Sequence, residues 1–140
     1  MKLRTILVLL ALAASAPAQY SWRNMLDAIK QVETGSGSGI GVKGDGGRAF
    51  GPLQIHRGYF IDSRVKGHHS QCLTSRSFSE LVVRRYMHRW CPDEARRLDA
   101  GRASRADAER VARTHNGGPR GSKKSATLAY GKRVLARLRR

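Results

Sequence analysis

Two carboxylates in this 140-residue chain stand in surroundings that suggest chemistry. Glu33 follows Trp22, Leu26 and Ile29 by 11, 7 and 4 residues, so on a helix it continues their apolar stripe. It also ends that helix, where the macrodipole disfavours negative charge. Both effects favour the protonated acid, the form a general acid needs near neutral pH. The competing reading is an acid that ends a helix and faces solvent. Asp45 comes 12 residues later, among Gly44, Gly46 and Gly47. Such a segment lets a ligand approach the backbone, and it also suits an ordinary turn aspartate. A carboxyl in an apolar setting paired with one in a wet polar loop is the arrangement of glycoside hydrolysis. One protonates the leaving oxygen. The other stabilises the oxocarbenium-like transition state, attacks the sugar or activates water. No G-x-S-x-G, H-E-x-x-H or Walker pattern competes.

The elements that must position this pair follow from periodicity. Residues 21–33 predict a helix, with Trp22, Met25, Leu26, Ile29 and Val32 on one face. Seven of the 13 residues from Gly35 to Gly47 are glycine, which excludes helix and fits a loop or small hairpin. Residues 52–55 form a short run, and a polar connection extends through residue 71. Ser77-Phe78-Ser79-Glu80 reads as a capping box opening a helix with Leu81, Val82, Tyr86 and Trp90 on its apolar stripe. Pro92 suits the first turn of a short helix. Residues 104–115 predict another, with Val111 and Ala112 inward, and Gly117-Gly118-Pro119 stops it. A last helix is predicted over residues 122–138, with a basic end that suits either the helix dipole or a frayed, solvated terminus. The expected class is α+β, mostly helical, with one small Gly-rich hairpin region.

Composition bounds the partners. There are 27 Lys+Arg against 10 Asp+Glu, a formal charge of +17, which points to an anionic partner. Residues 1–18 read as a signal peptide, with Lys2 and Arg4 before an apolar stretch too short to span a bilayer and an Ala16-Pro17-Ala18 cleavage site. An uncleaved anchor is the alternative. Residues 19–140 then form one catalytic domain of 122 residues, secreted to the exterior, or to the periplasm in a Gram-negative source. Export argues against nucleic acid and gives Cys72 and Cys91 a compartment in which a disulfide persists, two free buried thiols being the other reading. His68-His69 reads as a solvated loop, and neither a metal nor a cofactor is expected.

The chain resembles the invertebrate-type (i-type) lysozymes of the destabilase family. The matching blocks are Val32-Glu33-Thr34-Gly35, Gly44-Asp45-Gly46, Phe50-Gly51-Pro52-Leu53-Gln54-Ile55-His56, Tyr59-Phe60-Ile61-Asp62, Val83-Arg84-Arg85-Tyr86-Met87 and Thr114-His115-Asn116-Gly117-Gly118-Pro119-Arg120-Gly121. The resemblance implies a lysozyme-like fold and hydrolysis of the β-1,4 bond between N-acetylmuramic acid and N-acetylglucosamine in peptidoglycan. It implies Glu33 as general acid, Asp45 as second carboxylate, and Gln54, Tyr59, His115 and Asn116 lining the sugar cleft of a monomer. From the residues alone, Gln54 equally suits a packing role and His115 a helix-terminal cation. The family is usually rich in disulfides, whereas this chain has two cysteines. An isopeptidase using Ser63 or Ser70 with His115 or a lysine, and a non-catalytic cationic wall-binding protein, are the alternative functions.

Overall fold

The computed structural model describes residues 17–139. Residues 1–16, the bulk of the expected signal peptide, lie outside the described residues.

Helix α1 (Trp22–Thr34) forms as its periodicity requires and buries Trp22, Met25, Leu26, Ala28 and Ile29. The Gly-rich stretch leads into a three-stranded antiparallel sheet, β1 (Lys43–Gly44), β2 (Ala49–Phe50) and β3 (Ile55–His56), in the order β1-β2-β3. Lys43 pairs with Phe50, and Ala49 with His56. A 3-10 turn, Asp45–Gly47, joins β1 to β2. Four helices follow: α2 (Arg57–Ser63), α3 (Gln71–Thr74), α4 (Arg76–Trp90) and α5 (Pro92–Asp99). Then come α6 (Arg105–Gly117), two 3-10 turns and α7 (Leu128–Leu135).

Leu26, Ile29, Val82, Val83, Met87, Val111 and Val134 all belong to one buried cluster, so α1, α4, α6 and α7 share a core. Burying each large side chain contributes about 1.5–3 kcal/mol. Ser104 caps α6 by accepting from Asp107 N–H, while Asp107 accepts from Ser104 N–H and from Arg97. The Arg97 guanidinium, followed by the Ser104 donors, outweighs desolvation and holds the Asp107 carboxyl below its usual range.

Several expectations need correction. The connection from residue 56 to 71 contains α2, whose single apolar patch is too short to register as periodicity. The α4 cap is Ser75, which accepts from Phe78 N–H, not Ser77. The buried stripe of α4 runs through Ser79, Val82, Val83, Tyr86 and Met87, leaving Leu81 42% exposed. The last helix is shorter than expected, because residues 121–127 close two 3-10 turns before α7 begins.

Cys72 and Cys91 are free, buried thiols, not a disulfide. They sit at opposite ends of α4, a helix of 15 residues and hence about 22 Å long, whereas a disulfide needs Cα atoms roughly 5.5 Å apart. Cys72 O accepts from Ser79 Oγ near the start of α4, and Cys91 Sγ donates to Thr114 Oγ1 beyond its end. Burial raises both thiols, Cys72 to about 11, so both are poor nucleophiles at neutral pH.

Polar ties hold the Gly-rich segment instead. Lys30, 6% exposed, donates from Nζ to the carbonyls of Gly35 and Gly37. Thr34 Oγ1 donates to Pro52 O at 3.1 Å, and Gly41 N–H to Leu73 O at 2.8 Å. Gly51 has φ 71°, and a Cβ there would meet Cys72 O at 1.8 Å, so only glycine permits this packing. His69 is likewise structural and not a solvated loop residue: its ring stacks on Phe50 and its Nε2 donates to Ile55 O at 2.6 Å.

Candidate active site

Glu33 and Asp45 line one cleft of about 220 Å³, together with Ala49, Gln54, His56, His115 and Asn116. Three elements build it. The end of α1 supplies Glu33, the sheet and its turn supply Asp45 and His56, and the end of α6 supplies His115 and Asn116.

Glu33 is held by residues distant in sequence. Its Oε1 accepts from Tyr130 Oη at 2.6 Å, across 97 residues. His115 Nε2 stands 3.6 Å from the same oxygen, and the Glu33 side chain keeps 20% of its surface exposed. Burial is the largest influence and pushes the carboxyl up. His115, then Tyr130 and Arg133, together outweigh it, and the net direction is below the ordinary value. The expectation of a protonated resting Glu33 is therefore corrected. An apolar stripe and a helix terminus describe α1 alone, whereas the donors arrive from α6 and α7.

His115 is buried and bound on both sides. Leu53 O can only accept, so His115 Nε2 carries the hydrogen across their 3.2 Å contact. In the neutral ring Nδ1 then accepts from Tyr59 Oη, 3.1 Å away. Tyr59 in turn stacks on Tyr86 with centroids 3.6 Å apart, and burial raises its phenol well above its usual value. Tyr59 thus supports His115 from behind rather than lining the cleft. Asn116 does line it, and its side-chain amide makes no hydrogen bond among the described residues.

Asp45 is open to solvent, its side chain 47% exposed, between Arg48 Nη2 at 2.9 Å and His56 Nε2 at 3.4 Å. Its backbone is left-handed, with φ 48°, a conformation aspartate tolerates better than most residues. Gln54 braces this loop. Its Nε2 donates to Gly51 O at 2.8 Å, and its Oε1 occupies the place a Cβ on Gly44 would take, 2.0 Å away. The amide nitrogen is therefore committed to the protein, while Gln54 still lines the cleft.

Tyr130, His56, Arg48 and Arg133 belong to the site and carry no motif signal of their own. His56 ends the Gly51–His56 block, which is the nearest sequence pointer. Tyr130 could have been found only by knowing that α7 crosses the end of α1.

Among the described residues, neither Ser63 nor Ser70 hydrogen-bonds a histidine or lysine side chain. Ser63 Oγ donates to Phe60 O and accepts from Val65 N–H, while His115 is engaged by Tyr59, Leu53 and Glu33.

Comparison with known proteins gives a consistent answer. The chain is 36% identical over 116 residues to a lysozyme of Meretrix lusoria, spanning 78% of this chain and 84% of that one. It superposes on a chain of the crystal structure of Aeromonas hydrophila PliI in complex with Meretrix lusoria lysozyme, with TM-score 0.64, 33% identity and coverage of 85% and 91%. It superposes on the crystal structure of Tapes japonica lysozyme with TM-score 0.61, 30% identity and the same coverage. No protein-family model matches the chain.

Proposed function

Because the chain belongs to the invertebrate-type lysozyme family and is a glycoside hydrolase, we propose that it is a secreted muramidase in which Glu33 is the general acid and Asp45 the second carboxylate. Its substrate is the β-1,4 bond between N-acetylmuramic acid and N-acetylglucosamine in peptidoglycan. Residues 1–18 are the signal peptide and 19–140 the catalytic domain. Among the described residues no helix is long and apolar enough to cross a membrane. The observation that carries the reading is the pairing of a largely buried carboxyl with an exposed one across a single small cleft.

In this reading Glu33 protonates the leaving glycosidic oxygen while Asp45 supports positive charge developing at the sugar carbon. Binding of the glycan covers the exposed edge of Glu33. That adds desolvation, the influence opposing His115 and Tyr130, and so favours the protonated carboxyl when it is needed. His115 and Tyr130 are positioning residues, and Asn116 offers its free amide to the sugar.

Mass spectrometry of products from defined peptidoglycan tests the reaction. Reducing muramic ends are expected. Anhydro-muramic ends would make the enzyme a lytic transglycosylase, and intact glycan would overturn the proposal.

Tyr130→Phe tests the control of Glu33. The hydroxyl stabilises the carboxylate, so its removal raises the Glu33 pKa. A general acid works when protonated, below its pKa. The alkaline limb of kcat/KM against pH is therefore expected to move to higher pH. A purely structural Tyr130 would lower the plateau and leave the limb in place.

A further inference from the structure

A second concavity, about 550 Å³, opens between the turn that follows α2 and the outer face of α4. Arg64 and Lys66 reach it from the turn, and Arg85 from the helix. Leu81, 42% exposed, and Val65 supply apolar wall between these cations. Two further side chains at its rim already have carboxylate partners: Arg89 with Asp62 at 3.8 Å, and His88 with Asp99 at 2.8 Å. Among the described residues, Arg64, Lys66 and Arg85 have no carboxylate within salt-bridge distance. Three uncompensated cations thus converge on one hollow. Arg64 holds this place from a left-handed backbone, φ 56°, at the end of α2.

The basic hollow beside α1 differs. There Asp27 stands in the lining itself, Lys30 is spent on the Gly35 and Gly37 carbonyls and Arg76 on Asp27 and Glu80, while Arg137 and Arg139 have no carboxylate partner among the described residues. The α2–α4 hollow, by contrast, has no carboxylate in its lining.

We propose that the α2–α4 hollow is a second binding site, for the phosphodiester groups of a polyol-phosphate polymer attached to the bacterial wall. Two arginines and a lysine supply forked and point-like donors for phosphate oxygens. The Val65 and Leu81 surfaces suit the carbon-rich units between phosphates. The volume exceeds that of a single phosphate and accommodates a repeat. Helix α2 links the two sites. His56, in the cleft, precedes its first residue, and Ser63, on the hollow, is its last, so seven residues, about 10 Å, separate them. A wall polymer held at the hollow would keep the glycan near Glu33 and raise its effective concentration. The functional consequence rests on the muramidase reading; the binding itself does not.

The test compares the full chain with the variant Arg64→Asn/Lys66→Gln/Arg85→Gln and a charge-matched control, Arg102→Gln/Lys123→Gln/Lys132→Gln. Asparagine is used at position 64 because it tolerates the left-handed backbone. Arg85→Glu alone, on the exposed face of α4, serves as a second variant should the triple fail to fold. Binding of soluble polyglycerol phosphate is expected to weaken by about 10-fold or more in the hollow variants, from loss of charge-assisted contacts, and much less in the control. Clearance of phosphate-bearing walls should fall in the same variants, while cleavage of soluble, phosphate-free peptidoglycan fragments stays unchanged. Equal loss in the control would overturn the site in favour of net charge. Unchanged polymer binding with reduced binding to phosphatidylglycerol vesicles would overturn the polymer in favour of a lipid headgroup. If the unmodified protein cleaves no glycan, the muramidase reading fails and the polymer-binding comparison still decides the site.

Discussion

Glu33→Gln is expected to lower kcat on peptidoglycan by about 10²–10⁴-fold, the usual worth of a positioned general acid. Glutamine has the shape of the acid and can still accept the Tyr130 hydroxyl that Glu33 accepts at 2.6 Å. The fold and the cleft should therefore survive, which a thermal melt close to wild type would establish. What is lost is the proton. Turbidity clearance, together with reducing-end analysis, reads the result. Clearance equal to wild type would remove Glu33 from the mechanism. Bacterial killing that persists after hydrolysis has gone would show that the basic surface has an effect of its own.

The second large effect is expected from Asp45→Asn. Loss of a preorganised charge beside the developing oxocarbenium ion costs about 10²–10³-fold in kcat. The substitution is well suited to the position, since asparagine also tolerates the left-handed backbone at φ 48°. It removes the ion pair to Arg48 and the contact to His56, but both lie at the surface, where such an ion pair is worth about 0–1 kcal/mol. The melting temperature should thus move little while kcat falls. A deeper loss, matching that of Glu33→Gln, would point to attack on the sugar by Asp45. Unchanged kcat would assign the residue to the loop alone.

Much of the architecture was legible because it is written in local periodicity. The apolar spacing of α1, the Gly-rich break after it, Pro92 at the start of α5 and the glycines after α6 each act over a few residues, and each took its expected form. Helix α2 carries no legible signal because seven residues offer too few turns for a stripe. The cysteines misled for a related reason. A sequence separation of 19 residues suggests an easy loop, but a rigid helix fills it and holds the two ends apart.

The candidate site divides along the same line. The amino-acid sequence by itself determined that Glu33 ends an amphipathic helix, that Asp45 lies in a glycine-rich turn, and that the chain is strongly basic. It also carried motif blocks that resemble one lysozyme family. Only the tertiary structure decided what those carboxylates meet. Tyr130, 97 residues away, and His115 turn Glu33 from a carboxyl that burial alone would push above its ordinary pKa into one held below it. Tyr59 and Gln54 became braces for His115 and for the Asp45 loop. Lys30 ties down the start of the Gly-rich segment, and Thr34 ties the end of α1 to Pro52. The reason is physical: helix faces and turns arise from near neighbours, whereas the charge state of a half-buried acid depends on donors that only the packing of distant helices brings within hydrogen-bonding distance.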